Sequence, residues 1–253
     1  MVNAYSIENW PDQYDWWIKK LKEYNLDYFS YIMFLEVRNN EWTDAKIENY
    51  LKFINHSVDT VVQEVFENNL ENFLNTSLGI AERKNKYNYF HLSLAHSSNM
   101  NGCSVDRTLQ FRLGDLAWTM CHRTSYEKFL YGKFKVENNK IVGMEALNLP
   151  LLFIVYRLTY KGHPECDVCP INKYCIRGCY GAQFEAHKEL FYPCETVCNL
   201  FKAKTYFLYK KYRKMSESLN NKKINSILDK IEKKLAEEKE IADKWINVVN
   251  TII

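Results

Sequence analysis

Apolar and polar positions along the 253-residue chain change period several times, and each change predicts an element. In "PDQYDWWIKKLKEYN", Trp16, Ile18, Leu21 and Tyr24 recur at helical spacing behind Pro11, which suits a first turn, so a helix is expected to end near Asn25. "YFSYIMFLEV" is a continuous aromatic and β-branched run, as in a strand buried on both faces, and Thr43 in "EWTDAKIENYLKFI" can cap a further helix. Helical period continues through about 58–75, and "NTSLGIAERKNKYN" reads as a polar connection. This helix, strand, helix order is what the later part of a parallel α/β barrel or sheet looks like.

Texture then shifts. Residues 90–121 mix short strand-like runs with Gly102 and Gly114 and predict a small hairpin. "GKFKVENNKIVGMEAL" predicts a strand pair around a polar turn, and "LPLLFIVYRLTY" a helix after Pro150. Beyond Cys198 the chain is charged and helical, with Ile224, Ile227, Leu228, Ile231 and Leu235 forming one apolar stripe. That stripe predicts a solvated helix packed by one face onto the body; it lasts too few heptads for a coiled coil.

Composition narrows the function classes. An apolar fraction of 47% can supply a normal core, and 34 basic against 31 acidic residues leave a net charge of only +3. No general attraction to nucleic acid or to a membrane surface follows. The longest apolar stretch, "LNLPLLFIVYRL", is cut by Asn148, Pro150 and Arg157, well short of the roughly 20 residues a membrane helix requires. "MVNAYSIENWPDQYDWW" has no basic segment followed by an apolar one, so a cytoplasmic protein is expected. There the 8 cysteines point to metal or redox chemistry in preference to disulfides. Glycine-rich phosphate loops, GXSXG and HEXXH are absent from the sequence, and its 6 scattered histidines give no support for a Cys/His nucleophile.

"CDVCPINKYCIRGC" places Cys166, Cys169, Cys175 and Cys179 within residues 166–179. Thiolates are soft ligands that favour zinc or an iron–sulfur cluster. Structural zinc takes two close cysteine pairs, and Cys166/Cys169 with Cys175/Cys179 satisfy that spacing. A single zinc would leave Cys103, Cys121, Cys194 and Cys198 unused, whereas eight thiols suit two cubane clusters better.

The ordered series Cys103, Gly114, Cys121, then CX2CX5CX3C at 166–179, then Cys198 resembles the SPASM domain, the C-terminal extension of many radical S-adenosylmethionine enzymes that modify peptides and proteins. The central run matches that pattern in full. The first element departs from it: 6 residues separate Gly114 from Cys121, where the family typically has four. The resemblance implies two 4Fe-4S clusters with crossed ligands, the first held by Cys103, Cys121 and Cys179, the second by Cys166, Cys169, Cys175 and Cys198. Cys194 would complete the first, or its fourth iron would stay open to substrate or water. Interleaved ligands of this kind would tie the hairpin around 103–121 to the loop around 166–198 and supply folding free energy to both.

More weakly, the strand ending in Glu36, Val37 and Arg38 before Trp42 is similar to a late strand–helix unit of a radical SAM barrel, whose strand ends face substrate. Glu36 and Arg38 fit that role or a surface ion pair. His122 and Arg123, beside Cys121, fit a cation that tunes a cluster or binds a carboxylate, or a solvated loop charge. Gly178 and Gly181 fit close backbone approach to a cluster or an ordinary turn.

The expected fold is therefore α+β: a partial (β/α) barrel end over 1–85, a SPASM-type iron–sulfur domain over 86–205 and a helical C-terminal segment over 206–253. CX3CX2C, which holds the cluster that cleaves S-adenosylmethionine, is absent from the sequence. The expected role is thus the auxiliary-cluster and substrate-binding portion of a complete enzyme, with a peptide or protein substrate and a separate chain carrying the radical SAM core as partners. A structural zinc module without redox function, and a stand-alone electron carrier, are the competing expectations.

Overall fold

A computed structural model describes residues 2–3, 6–25, 35–36, 42–81, 92–94, 110–158, 164–175, 180–188, 194–237 and 239–253. The helices are α1 (Trp10–Glu23), α2 (Asp44–Glu64), α3 (Leu70–Ser77), α4 (Leu149–Leu158), α5 (Pro164–Asp167), α6 (Tyr180–His187), α7 (Glu195–Ser216), α8 (Lys222–Leu235) and α9 (Lys239–Ile252). The strands are β1 (Val2–Asn3), β2 (Leu35–Glu36), β3 (Gln110–Arg112), β4 (Ala117–Thr119), β5 (Leu130–Glu137) and β6 (Lys140–Ala146). The fold is α+β, with two compact units.

The first unit gathers residues 1–97, 169–175 and 195–253. Its β1 and β2 pair in parallel, Val2 opposite Leu35 and Asn3 opposite Glu36, with α1 between them in sequence. Residues 26–34 and 37–41, most of the expected strand and Arg38 included, lie outside the described residues. Thr43 caps α2 as its sequence position predicts, its hydroxyl accepting from the Lys46 amide at 3.4 Å. The helical period read through 58–75 is broken: α2 stops, Glu67 and Asn68 take positive φ values of 50° and 63°, and Asn69 caps α3 by accepting from the Asn72 amide at 2.9 Å.

The buried stripe of α1 also differs from the expected one. It consists of Trp10, Tyr14, Ile18 and Leu21, while Trp16 and Tyr24 stay 51% and 63% exposed. Trp10 and Tyr14 both reach Phe53 of α2, at ring distances of 6.0 and 5.9 Å, so the face that meets α2 sets the stripe.

Helix α7 is buried over most of its circumference, through Leu200, Phe201, Tyr206, Phe207, Leu208, Tyr209 and Tyr212 among others, and packs against α2, α3, α8 and α9. Tyr212 stands edge-on to Phe73 of α3 at 5.5 Å and its hydroxyl donates to the Leu92 carbonyl. The Leu94 amide donates to the Ser77 carbonyl at 2.9 Å, fixing residues 92–94 against the same helices. On α8 the apolar stripe faces inward as expected, with Ile224, Leu228, Ile231 and Leu235 buried and Ile227 half-buried on its flank.

The second unit gathers residues 98–168 and 176–194. It contains an antiparallel sheet in the order β3-β4-β5-β6, which includes both expected strand pairs. Asn138 and Asn139, at φ 49° and 58°, form the two-residue turn between β5 and β6. Gly132 is required there, since a Cβ would lie 2.6 Å from the Glu145 carbonyl oxygen of the adjacent strand. Met120, Phe129, Tyr131 and Phe184 form the core of this unit, flanked by Trp118, Cys121, Leu151 and Leu152. Strand β6 is an edge, exposed along its length. Among the described residues no helix is long and apolar enough to cross a membrane.

Leu228→Ala should lower the unfolding free energy by about 2–5 kcal/mol through the cavity it leaves, and Ile227→Ala by only about 1 kcal/mol. Urea denaturation followed by circular dichroism measures both. Equal losses would mean that α8 is not packed through this stripe.

Candidate cysteine-rich site

Of the eight cysteines, Cys103 and Cys179 lie outside the described residues, as does Gly178. Cys121, Cys166, Cys169, Cys175 and Cys198 are half-buried and Cys194 is buried. Cys169, Cys175 and Cys198 belong to the first unit, and Cys121, Cys166 and Cys194 to the second.

In the first unit, residues 169–175 coil through successive tight turns. The Asn172 amide donates to the Cys169 carbonyl at 2.9 Å, and the Tyr174 and Cys175 amides to the Ile171 carbonyl at 2.8 and 2.9 Å. Buried Ile171 anchors the coil, leaving the cysteines at its two ends partly accessible. Cys198 sits in the first turn of α7.

Two turns further along α7 comes a residue the sequence reading passed over. Lys204 is only 5% exposed, among buried Leu200, Phe201 and Leu208, with its ammonium 4.9 Å from the centre of the Phe201 ring. Burial pushes its pKa down to about 8, and the negative charge of Cys175 acts in the opposite direction. Among "KAKTYFLYKKYRK" nothing in composition separates this lysine from its solvated neighbours; only the helical register does.

In the second unit Cys121 follows β4 by two residues and caps a 3₁₀ turn, His122–Thr124. The Thr124 hydroxyl accepts from the Cys121 amide at 3.1 Å and lies 3.4 Å from its Sγ, while the Thr119 hydroxyl donates to the Thr124 carbonyl at 2.7 Å. Two buried threonines therefore fix this cysteine's backbone and orient its sulfur. Tyr131 is 3% exposed nearby, and its hydroxyl finds no hydrogen-bond partner among the described residues. Desolvation first, and the Cys121 charge second, push its phenol up to about 12.

Arg123 is no solvated loop charge. Its side chain is 9% exposed and its guanidinium clasps Glu185 of α6, with Nε donating to Oε1 at 3.4 Å and a second, shorter contact from Nη2 to Oε2. The expected carboxylate is thus the protein's own. Gly181 is likewise not in a turn. It lies inside α6, buried, where a Cβ would fall 2.5 Å from the Arg123 Cβ. Glycine at this position is what allows the arginine to lie across the helix.

The donor set suits a soft metal: most described thiols are partly accessible instead of being packed as core hydrophobes. Among the described residues, no group of three or more His, Cys, Asp or Glu side chains is placed to hold a metal ion. A nucleophilic relay finds no support at His56. Asp15 Oδ1 at 2.7 Å and Thr60 Oγ1 at 3.4 Å both reach the same Nε2, whereas a relay uses both ring nitrogens. No known family's sequence pattern matches the chain, and neither a curated protein nor a solved structure shows significant similarity to it.

Gly181→Ala should destabilise the protein by about 1–3 kcal/mol through overpacking against Arg123, although the same change in an open helix stabilises by about 1 kcal/mol. The sign of the change in denaturant midpoint decides between them. Tyr131→Phe should raise stability by about 1 kcal/mol at neutral pH, since it removes a buried hydroxyl without a partner. In the wild type, both states keep the phenol protonated below pH 10.0, and stability falls as pH rises from there through about 12, because the unfolded phenol ionises first. Denaturation across alkaline pH should show that loss diminished in Tyr131→Phe.

Proposed function

We propose that the chain is the auxiliary iron–sulfur and substrate-binding portion of a radical SAM enzyme that modifies a peptide or protein. The observation that carries this reading is CX2CX5CX3C at 166–179 together with cysteines at 103, 121, 194 and 198. The half-buried state of Cys166, Cys169, Cys175 and Cys198 supports it, because a thiol serving only as a small hydrophobe would be packed away.

On this reading Cys166, Cys169, Cys175 and Cys198 hold one 4Fe-4S cluster, and Cys103, Cys121 and Cys179 the other, with Cys194 or a substrate atom at its fourth iron. Such clusters, when bound, accept or relay an electron from a substrate radical. The chain's own contribution is to hold the thiols: the coil around Ile171 spaces Cys169 and Cys175, the first turn of α7 presents Cys198, and Thr119 with Thr124 sets Cys121. A separate chain carrying CX3CX2C would supply cleavage of S-adenosylmethionine. A structural zinc is the second reading, favoured by the close pairs Cys166/Cys169 and Cys175/Cys179.

Iron, sulfide and zinc per chain, measured on protein purified without oxygen, test the assignment. Two 4Fe-4S clusters correspond to about eight irons and eight sulfides with a broad visible absorption, and Cys169→Ala should remove about half the iron. Zinc without visible absorption would replace this reading with the structural one. Formation of 5'-deoxyadenosine from S-adenosylmethionine by the chain alone would overturn the division of labour.

A further inference from the structure

Strand β6 ends the sheet of the second unit. Among the described residues no strand pairs with its outer side, so a row of main-chain amides and carbonyls is open there. The Leu147 amide donates to the Tyr131 carbonyl at 2.9 Å, next to the pair Gly132–Ala146, and Glu137–Lys140 closes the two-residue turn at the other end. Antiparallel pairs alternate between hydrogen-bonded and non-hydrogen-bonded, so Ile141 and Met144, opposite Val136 and Phe134, fall in non-bonded pairs and turn their main-chain groups away from β5. Open edges are usually guarded by a proline or by charges along the strand. Between Lys140 and Glu145 this edge carries only Ile141, Val142, Gly143 and Met144, with Ile141 60% and Met144 53% exposed.

A bulge decides where the two charges lie. Lys135 is opposite Gly143 and Val136 opposite Ile141, which leaves Val142 as the extra residue. Lys140 and Glu145 are an odd number of positions apart and, without the bulge, would project from opposite faces. With it they share the face of Glu137 and Lys133, the residues across from them on β5. Ile141 and Met144 share the other face with Phe134 and Trp118, whose rings meet at 5.2 Å. Lys133 reaches Asp115 at 3.7 Å, and neither Lys140 nor Glu145 has an ion-pair partner among the described residues.

In the antiparallel sense this strand is complementary to itself. A twofold axis through Gly143, perpendicular to the sheet, sets Lys140 opposite the second copy's Glu145 and Ile141 opposite its Met144, each pair occurring twice. The outward main-chain groups of Ile141 and Met144 then face one another as a hydrogen-bonded pair. Gly143, with open space where a Cβ would lie, meets its own counterpart on the axis, and one bulged Val142 falls on each side of it. Parallel pairing in register would instead set lysine beside lysine and glutamate beside glutamate. We propose that a second copy of this chain pairs with β6 in the antiparallel register, joining two four-stranded sheets into one of eight. The pairing is independent of what the cysteines hold.

Light scattering during size-exclusion chromatography of the full-length chain, over a dilution series, tests the pairing. The wild type should run as a dimer that dissociates on dilution. Lys140→Glu and Glu145→Lys each set like charges opposite one another, and each should raise the dissociation constant about tenfold or more, with circular dichroism verifying that both stay folded. An equimolar mixture of the two variants should recover wild-type affinity, since every facing pair again carries opposite charges. A wild type that is monomeric throughout the series overturns the proposal and leaves the edge to a strand of another protein. A dimer that neither reversal weakens, or reversals that the mixture does not restore, overturn it as well.

Discussion

A helix that is buried over most of its circumference has to be enclosed, and α7 imposes that condition on the first unit. Phe201, Tyr206, Phe207, Leu208, Tyr209 and Tyr212 point in several directions, so no single partner can cover them. The cover comes from α2 and α3 on the amino-terminal side of the sequence and from α8 and α9 after it. Each of those helices is amphipathic in the ordinary way, and each directs its apolar stripe at α7 or at a neighbour of α7. The exposed ion pairs on this unit, such as Lys46 with Glu8 at 2.9 Å and Lys244 with Asp44 at 3.1 Å, add little, because water and salt screen them.

The same enclosure gives the cysteines of this unit a rigid base. Cys198 lies where α7 begins, and the coil of residues 169–175 is anchored through Ile171. A thiol held on a packed helix and two more at the ends of a hydrogen-bonded coil have little conformational freedom. In the second unit Cys121 gains comparable definition from two buried threonine hydroxyls. The two units reach the same end by different means, hydrophobic anchoring in one and short side-chain hydrogen bonds in the other.

Local features of the sequence were readable and distant pairings were not. Thr43 could be recognised as a cap, Asn138-Asn139 as a turn and the stripe on α8 as a packing face, because each signal lies within a few residues of its effect. The inward face of α1 was misjudged because Trp16 and Trp10 are both large and aromatic, and only the position of Phe53 decides between them. The break at 65–69 falls at backbone angles that the surrounding apolar period conceals. At the candidate site the cysteine spacing was legible from the chain, whereas the pairing of Arg123 with Glu185, the need for Gly181 and the burial of Lys204 arise only from tertiary contact. Tyrosine 212 illustrates the same limit, since its acceptor, the Leu92 carbonyl, lies far away in sequence.

The first unit is assembled from segments on both sides of the second, and this has a consequence for synthesis on the ribosome. Helices α1, α2 and α3 emerge early, yet α7, which covers the inner faces of α2 and α3, leaves the exit tunnel only after residues 98–168 have been made. During that interval Phe73, Leu74, Val58 and Val61, all buried in the folded unit, lack their native cover. Apolar surface exposed in this way favours association between incomplete chains. The second unit, drawn mostly from a single stretch, can complete its hairpins while the older half of the chain is still waiting.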